Sequence, residues 1–400
     1  MVNEKFYANA GFSPEELKED MLSGASQVKA SDIHIDPGAD EYTIRFRVDG
    51  VLSVWLKRSM DEYDNLVSFF KVASNVDITE HNVPQDGHFL WFPGSNGELQ
   101  EQSGDSIDVR TSFFPVIRGQ AIVLRLLNRA DFLIDMKDLF TDPREFKLVS
   151  DMIHRPHGMI LVTGPANAGK TTTLYSILKE LATDQRNIVT LEDPVEFYMT
   201  NIRQSQIREE VNYTLTTGLR SILRQDPDIT MIGEIRDYDT AENALRASLS
   251  GRLFFSTIHA NDSVSTINRL LDMELKKDLV AYALSMIIAQ RLVRKICENC
   301  KTAYTPDPEV LEILGMDASE NYFKGQGCEV CLQTGFKGRI RLSEILTVDQ
   351  DIQRMILVGA APPDIKAKAV EKGFRTLRQD GVEKIRQGIT TPEEVLSVTA

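Results

Sequence analysis

Residues 164–171 have the spacing of a phosphate-binding loop. They read Gly-Pro-Ala-Asn-Ala-Gly-Lys-Thr, which matches G-x-x-x-x-G-K-[ST]. Backbone N–H groups of such a loop, together with the positive end of the helix that follows, hold polyanionic phosphate. Lys170 would reach the β- and γ-phosphates of ATP, and the Thr171 hydroxyl would bind Mg²⁺. The other predicted nucleotide-binding residues of the loop are Gly164, Pro165, Asn167, Ala168, Gly169 and Thr172.

Three later segments place carboxylate or imidazole groups directly after an apolar run. Glu192 and Glu196 follow the first run, Glu234 the second and His259 the third. Glu234 has the position of a water-orienting carboxylate, while Glu192 and Glu196 could act at Mg²⁺. His259 could contact the γ-phosphate. Taken alone, the acids could form a solvated cluster and the histidine could be structural. The phosphate loop ahead of them in the chain favours the catalytic interpretation.

The chain contains four cysteines, and all of them belong to two C-x-x-C pairs. The pairs are Cys297 with Cys300 and Cys328 with Cys331. Each pair can supply two ligands of a tetrahedral Zn²⁺ site, although the gap between the pairs is longer than in a usual zinc ribbon. A redox pair and unligated thiols are the alternatives. Four thiolates would close the coordination shell, so the pattern predicts structural and not catalytic zinc.

The elements that must position these residues follow from hydrophobic patterning. The loop lies between an apolar run at 159–162, which predicts a buried strand, and a helical pattern at 171–178. Further strand patterns follow at 188–191, 229–232 and 253–257. Strands that alternate with helices after a phosphate loop predict an α/β fold with a mainly parallel sheet and helices on both faces.

Three regions are predicted along the chain: an N-terminal α+β domain over 1–128, a linker over 129–138 and an ATPase domain over 139–400. The ATPase domain would contain a cysteine-bearing insertion over 297–340 and a helical part over 345–400. Patterns in the first domain predict helices over 15–22 and 60–73, strands over 32–35 and 42–48, a hairpin at Asp49-Gly50, and a polar loop over 93–106.

Composition and charge limit the class of protein. The 400 residues are 42% hydrophobic and 26% charged, and the net charge of −14 argues against broad nucleic-acid binding. The start of the chain lacks the apolar region of a secretory signal. No apolar run reaches the roughly 18–20 residues of a membrane-spanning helix. The nearest, Leu279–Ala289, is predicted to be a core helix. We therefore expect a cytoplasmic protein that reaches a membrane only through a partner.

Taken together, five ordered segments resemble the GspE/PilB/PilT superfamily of secretion ATPases. They are the phosphate loop, LEDPVE (191–196), LRQDPDITMIGEIRD (223–237), STIHAND (256–262) and AQRLVRKIC (289–297). The cysteine pairs resemble those of the GspE and PilB branches. Retraction motors of the PilT type lack such pairs. The resemblance implies a RecA-like P-loop core with a smaller N-terminal domain and a zinc-bearing insertion. The chain differs from the family pattern at Ala166-Asn167-Ala168.

The same resemblance implies a homohexameric ATPase at the inner membrane. It would power assembly of a type IV pilus or a type II secretion pseudopilus, with a membrane platform protein as partner. Family arginines that approach phosphate correspond to Arg110, Arg125, Arg220 and Arg224. Two alternatives remain open at this point, a nucleotide-binding regulator with little hydrolysis and a motor that translocates nucleic acid.

Overall fold

The computed structural model describes residues 13–93, 106–127 and 134–399. The chain forms two compact units, residues 1–131 and 132–400. Nearly all of the predicted polar loop 93–106 and the first half of the predicted linker 129–138 lie outside the described residues.

The first unit contains a six-stranded antiparallel sheet in the order β3-β2-β1-β6-β5-β4. Its strands are β1 (Asp32–Asp36), β2 (Glu41–Val48), β3 (Val51–Ser59), β4 (Gln85–Trp91), β5 (Ile107–Val116) and β6 (Gly119–Leu127). Helices α1 (Pro14–Gln27) and α2 (Tyr63–Ala73) contribute to one core with the apolar face of the sheet. Strand residues alternate in burial, as the period-two pattern predicts. The predicted turn at Asp49-Gly50 joins β2 to β3.

The second unit contains a seven-stranded sheet in the order β15-β12-β7-β11-β10-β8-β9. All neighbours are parallel except the edge pair β12–β15. The strands are β7 (Gly158–Thr163), β8 (Ile188–Glu192), β9 (Arg203–Gln206), β10 (Ile229–Ile232), β11 (Leu253–Ile258), β12 (Leu284–Ile296) and β15 (Phe336–Thr347). The predicted strands at 159–162, 188–191, 229–232 and 253–257 are confirmed.

Helices cover both faces of this sheet. In β7, Met159 and Leu161 belong to one apolar core, whereas Ile160 and Val162 belong to another on the opposite face. Strands buried on both faces lack polar alternation, which explains the continuous apolar runs of the sequence. The helices are α3 (Met136–Leu139), α4 (Pro143–Ile153), α5 (Lys170–Leu181), α6 (Leu215–Ile222), α7 (Tyr238–Ser248), α8 (Ser263–Asp272) and α9 (Lys277–Ala283).

The prediction of a core helix over Leu279–Ala289 is wrong in its second half. Helix α9 ends at Ala283, and β12 begins at Leu284 and pairs in parallel with β7. A short apolar run without polar alternation fits a buried helix and a buried strand equally well. Because the run crosses the boundary between two such elements, its pattern does not show where one ends.

The cysteine-bearing segment forms a small lobe of the second unit. It contains β13 (Lys301–Tyr304), α10 (Pro308–Leu314) and β14 (Tyr322–Gly325), and β13 pairs with β14. Strand β15 occupies both the end of the predicted insertion 297–340 and the start of the predicted helical part 345–400. The helices that follow are α11 (Gln350–Val358), α12 (Pro362–Glu371), α13 (Leu377–Arg386) and α14 (Pro392–Thr399).

Candidate nucleotide-binding and catalytic site

The predicted site residues of the second unit follow neighbouring strands at one edge of the sheet. The phosphate loop follows β7, Glu234 follows β10, and His259 follows β11, which pairs with both β7 and β10. Because the carboxyl ends of parallel strands meet at the same edge, these side chains come close together. The edge is therefore the candidate site.

The backbone of the phosphate loop takes the left-handed region at three positions. Gly164, Asn167 and Gly169 have φ of 150°, 61° and 83°. Asparagine tolerates this region better than most residues, so Asn167 supports the loop despite the altered interior. Gly169 precedes helix α5, which begins at Lys170. The loop and the first turn of α5 thus have the arrangement of a phosphate cradle.

The Lys170 side chain lies over its own loop. Its Nζ donates to the carbonyl oxygens of Gly164 and Pro165, both at 2.9 Å. Burial lowers the pKa of Lys170, whereas the carboxylate of Glu234 raises it. Thr171 and Thr172 follow and are half-buried. The Lys170 ammonium group is therefore placed to bind phosphate oxygens, and the Thr171 hydroxyl is placed to bind a divalent metal.

Glu234 is the centre of a polar network at the sheet edge. His259 lies 3.1 Å through Nε2 from Glu234 Oε1, and its Nδ1 lies 3.1 Å from the carbonyl oxygen of Gly164. Arg236 Nε donates to Glu234 Oε2 at 3.0 Å, and the guanidinium also reaches Asp193 Oδ2 at 3.4 Å. The structure thus brings together the predicted carboxylate, the predicted histidine and the phosphate loop.

Glu192 lies in a buried hydrogen-bond network at the end of β8. Tyr175 Oη donates to its Oε2 at 2.5 Å, while Thr190 Oγ1 and Gln204 Nε2 donate to its Oε1 at 2.5 and 3.2 Å. The Tyr175 oxygen also accepts from the Glu196 backbone N–H at 3.2 Å. Both Glu192 oxygens are already engaged, so this geometry supports a positioning role for Glu192 better than the predicted role at the metal.

Burial makes Glu192 a source of pH-dependent stability. Desolvation raises its pKa above the ordinary value, and hydrogen bonds from Thr190, Tyr175 and Gln204 oppose the shift. A carboxyl whose pKa is raised on folding stabilises the protein below its unfolded pKa, and that contribution is lost as pH rises through the folded pKa. We expect the urea midpoint of wild type to fall relative to Glu192→Gln from about pH 4.5 upward. A constant difference between pH 4 and 8 would contradict this.

The four cysteines converge in the small lobe. Their sulfur atoms all lie within 4.8 Å of one another, with Sγ–Sγ distances of 3.9 Å for Cys297–Cys328, 3.8 Å for Cys300–Cys331 and 3.7 Å for Cys328–Cys331. Zn–S bonds of about 2.3 Å in a tetrahedron separate the sulfurs by about 3.8 Å. The Asn299 amide donates to Cys328 Sγ at 3.4 Å and lowers the pKa of that thiol to about 6. The ligand set fits a structural Zn²⁺.

A family model connects this geometry to known proteins. The model described as type II/IV secretion system protein matches residues 9–397. The chain belongs to the type II/IV secretion system protein family. The predicted family and the RecA-like fold class are confirmed, and the predicted ATPase class is confirmed at the level of the family.

Individual members of the type II/IV secretion family show how much of the chain is shared. Type II secretion system ATPase E of Vibrio cholerae is 42% identical over 385 residues, which are 95% of this chain and 74% of that protein. Type IV pilus assembly ATPase PilB of Thermus thermophilus is 40% identical over 374 residues, which are 92% of this chain and 41% of that longer protein. A structure of the pilus retraction motor PilT with bound ADP has a TM-score of 0.64 at 25% identity and covers 95% of this chain and 96% of its own.

Of the arginines predicted from the secretion family, Arg220 and Arg224 belong to the second unit and Arg110 and Arg125 to the first. Arg220 is exposed on α6, and Arg224 donates to the Arg220 carbonyl oxygen at 3.0 Å. In the first unit, Arg110 lies opposite Arg125 on neighbouring strands, and Arg125 Nε donates to Asp32 Oδ1 at 3.0 Å. Their predicted contacts with phosphate stay predictions.

Sequence reasoning missed three residues of the candidate site. Arg236 and Asp193 extend the Glu234 network, and Gln290 on β12 contacts the phosphate loop. Each lies inside a segment that carried the family resemblance, but a contact across strands leaves no local pattern in the sequence.

Among the described residues, no helix combines the length and apolarity needed to cross a bilayer.

Proposed function

We propose that the chain is a subunit of a ring-shaped, Mg-ATP-hydrolysing motor, a homohexamer, that powers assembly of a type IV pilus or a type II secretion pseudopilus. The observation that carries the proposal is the convergence of Lys170, Glu234 and His259 at one sheet edge. Family membership adds the class of machine.

The residues at this edge of the sheet have different roles in phosphoryl transfer. Loop N–H groups and Lys170 bind the phosphates, and Thr171 would hold Mg²⁺, which would supply positive charge to the phosphate oxygens when bound. Glu234 orients a water molecule and accepts its proton as the oxygen bonds to the γ-phosphorus and the bond to ADP breaks. His259 links Glu234 to Gly164, so it is placed to respond when the γ-phosphate leaves.

In a ring, arginines of a neighbouring subunit would add positive charge around each nucleotide. Arg220 and Arg224 are exposed at one end of α6, where a neighbouring subunit's phosphates could meet them. Guanidinium groups stabilise charge on the transferred phosphoryl group and need not come from the same chain. Arg110 and Arg125 of the first unit would approach nucleotide phosphate, as the family resemblance implies.

Zinc and the membrane partner complete the proposal. The four cysteines hold Zn²⁺ as a structural ion, which the sulfur spacing supports. The motor works at the cytoplasmic face of the inner membrane through a platform protein. Direct nucleic-acid binding is not part of the proposal, because the net charge of −14 offers no general basic footprint.

The proposal predicts that turnover per subunit rises with protein concentration. A shared catalytic site exists only in the ring, so specific Mg-ATPase activity should increase several-fold across the range in which mass photometry shows monomers becoming rings. Activity that is independent of assembly would contradict a shared site. Nucleotide binding without turnover at any concentration would favour the regulator, and turnover that requires added DNA would favour the nucleic-acid motor.

A further inference from the structure

A buried glutamine on β12 holds the phosphate loop from behind. Gln290 is 1% exposed, and its side-chain amide makes two contacts with the loop and its helix. Nε2 donates to the carbonyl oxygen of Ala168 at 2.7 Å, and Oε1 accepts from Thr173 Oγ1 at 2.9 Å. One side chain therefore contacts the residue just before Gly169 and the first turn of α5.

The two contacts bracket the residues that face the phosphate. Between Ala168 and Thr173 lie the loop's last glycine, the lysine and the two threonines predicted to bind nucleotide and metal. In a trans peptide the C=O and N–H groups point in opposite directions. Because Gln290 holds the Ala168 carbonyl on the β12 side, the N–H of Gly169 points away from β12.

Close packing leaves the loop little room to move toward β12. A Cβ atom on Gly164 would lie 2.5 Å from the Gln290 carbonyl oxygen, and one on Gly169 would lie 3.3 Å from Gln290 Nε2. The glycines thus permit backbone contact with the strand as well as the φ values of the loop. Displacement of the Gln290 side chain would be transmitted directly to the phosphate cradle.

We propose that Gln290 is a positioning residue for nucleotide phosphate, acting through the Ala168 carbonyl and the Thr173 hydroxyl. This inference rests on the proposed nucleotide binding. The role requires an amide, because one end must donate and the other must accept. Glutamate lacks the donor and would place an acceptor against the Ala168 oxygen. Methionine has similar length and neither function.

The test compares nucleotide affinity in matched variants. Binding of Mg-ADP, followed by competition with a fluorescent ADP analogue, should weaken about tenfold in Gln290→Met and more in Gln290→Glu, because a buried group loses its partner. The control is Gln120→Met, which removes another buried glutamine whose Nε2 donates to the His81 carbonyl oxygen at 3.3 Å in the first unit. The control should bind Mg-ADP as wild type does. Thermal unfolding without nucleotide shows whether each variant is folded.

Variants at Thr173 separate positioning from general destabilisation. Thr173→Val should weaken Mg-ADP binding several-fold, Thr173→Ser should restore it, and the double variant with Gln290→Met should be weaker by less than the product of the single effects. Gln290→Met binding that stays within twofold of wild type, or that is as tight as in Gln120→Met, would overturn the inference. Wild type that binds Mg-ADP but never hydrolyses Mg-ATP would instead overturn the proposed motor, and the binding series would still decide the role of Gln290.

Discussion

Replacement of Glu234 by glutamine should reduce Mg-ATP turnover by roughly 10²–10⁴-fold, the range for a lost general base, while nucleotide still binds. Glutamine keeps the size of the side chain but cannot take up the proton of the attacking water. Lys170 and Thr171, which would hold phosphate and metal, are unchanged. Single-turnover hydrolysis and equilibrium binding of Mg-ATP, measured on the same protein, separate the chemical step from affinity.

A surface carboxylate on the next helix provides the control for this experiment. Glu242 pairs with Arg246 at 2.8 Å on α7, outside the Glu234 network. Surface ion pairs contribute little to stability, so Glu242→Gln should stay folded and turn over Mg-ATP at the wild-type rate. If Glu234→Gln also retained the wild-type rate, Glu234 would have no role in the chemical step.

The central sheet could be predicted from the sequence because its strands are sharply bounded. The prediction of a strand over 229–232 agrees with the observed Ile229–Ile232 at both ends. An apolar run between Asp-Pro-Asp and Gly-Glu has turn-forming residues on either side, and they fix where the strand can begin and end. The phosphate loop likewise marks where β7 ends and where α5 begins, because its residues lie between the two elements.

The features that the sequence did not predict share a physical cause. They depend on contacts between strands and helices, and such contacts leave no pattern along the chain. The run Leu279–Ala289 contains a helix end and a strand start without a change in composition. Glu192 is the last residue of β8, and its side chain accepts hydrogen bonds from Tyr175 and Thr190, partners that the sequence did not indicate, while its role at Mg²⁺ stays a prediction. Gln290 acts through residues more than a hundred positions earlier. Local patterns predict elements, and they do not predict which side chains meet.

Loss of the proposed zinc ion should unfold the small lobe and the last two helices together. Leu311, Leu314 and Tyr322 of the lobe share one apolar core with Leu377 and Val395 of those helices. Structural Zn²⁺ contributes about 10–16 kcal/mol in zinc-finger peptides, which matches or exceeds the roughly 5–15 kcal/mol that stabilises a whole domain. The lobe is therefore not expected to stay folded without the ion.

Cys300→Ser tests this dependence, because it leaves three thiolates for the ion. Metal analysis should fall from about one zinc per chain to near zero, and amide hydrogens over 297–335 and 377–399 should lose protection from exchange together. Protection in β7 should remain, since that strand belongs to other cores. Val330→Ser, an exposed change in the same turn as Cys331, should retain zinc and protection. Wild type without bound zinc, or helices that stay protected in Cys300→Ser, would show that the apolar core holds the lobe without a metal.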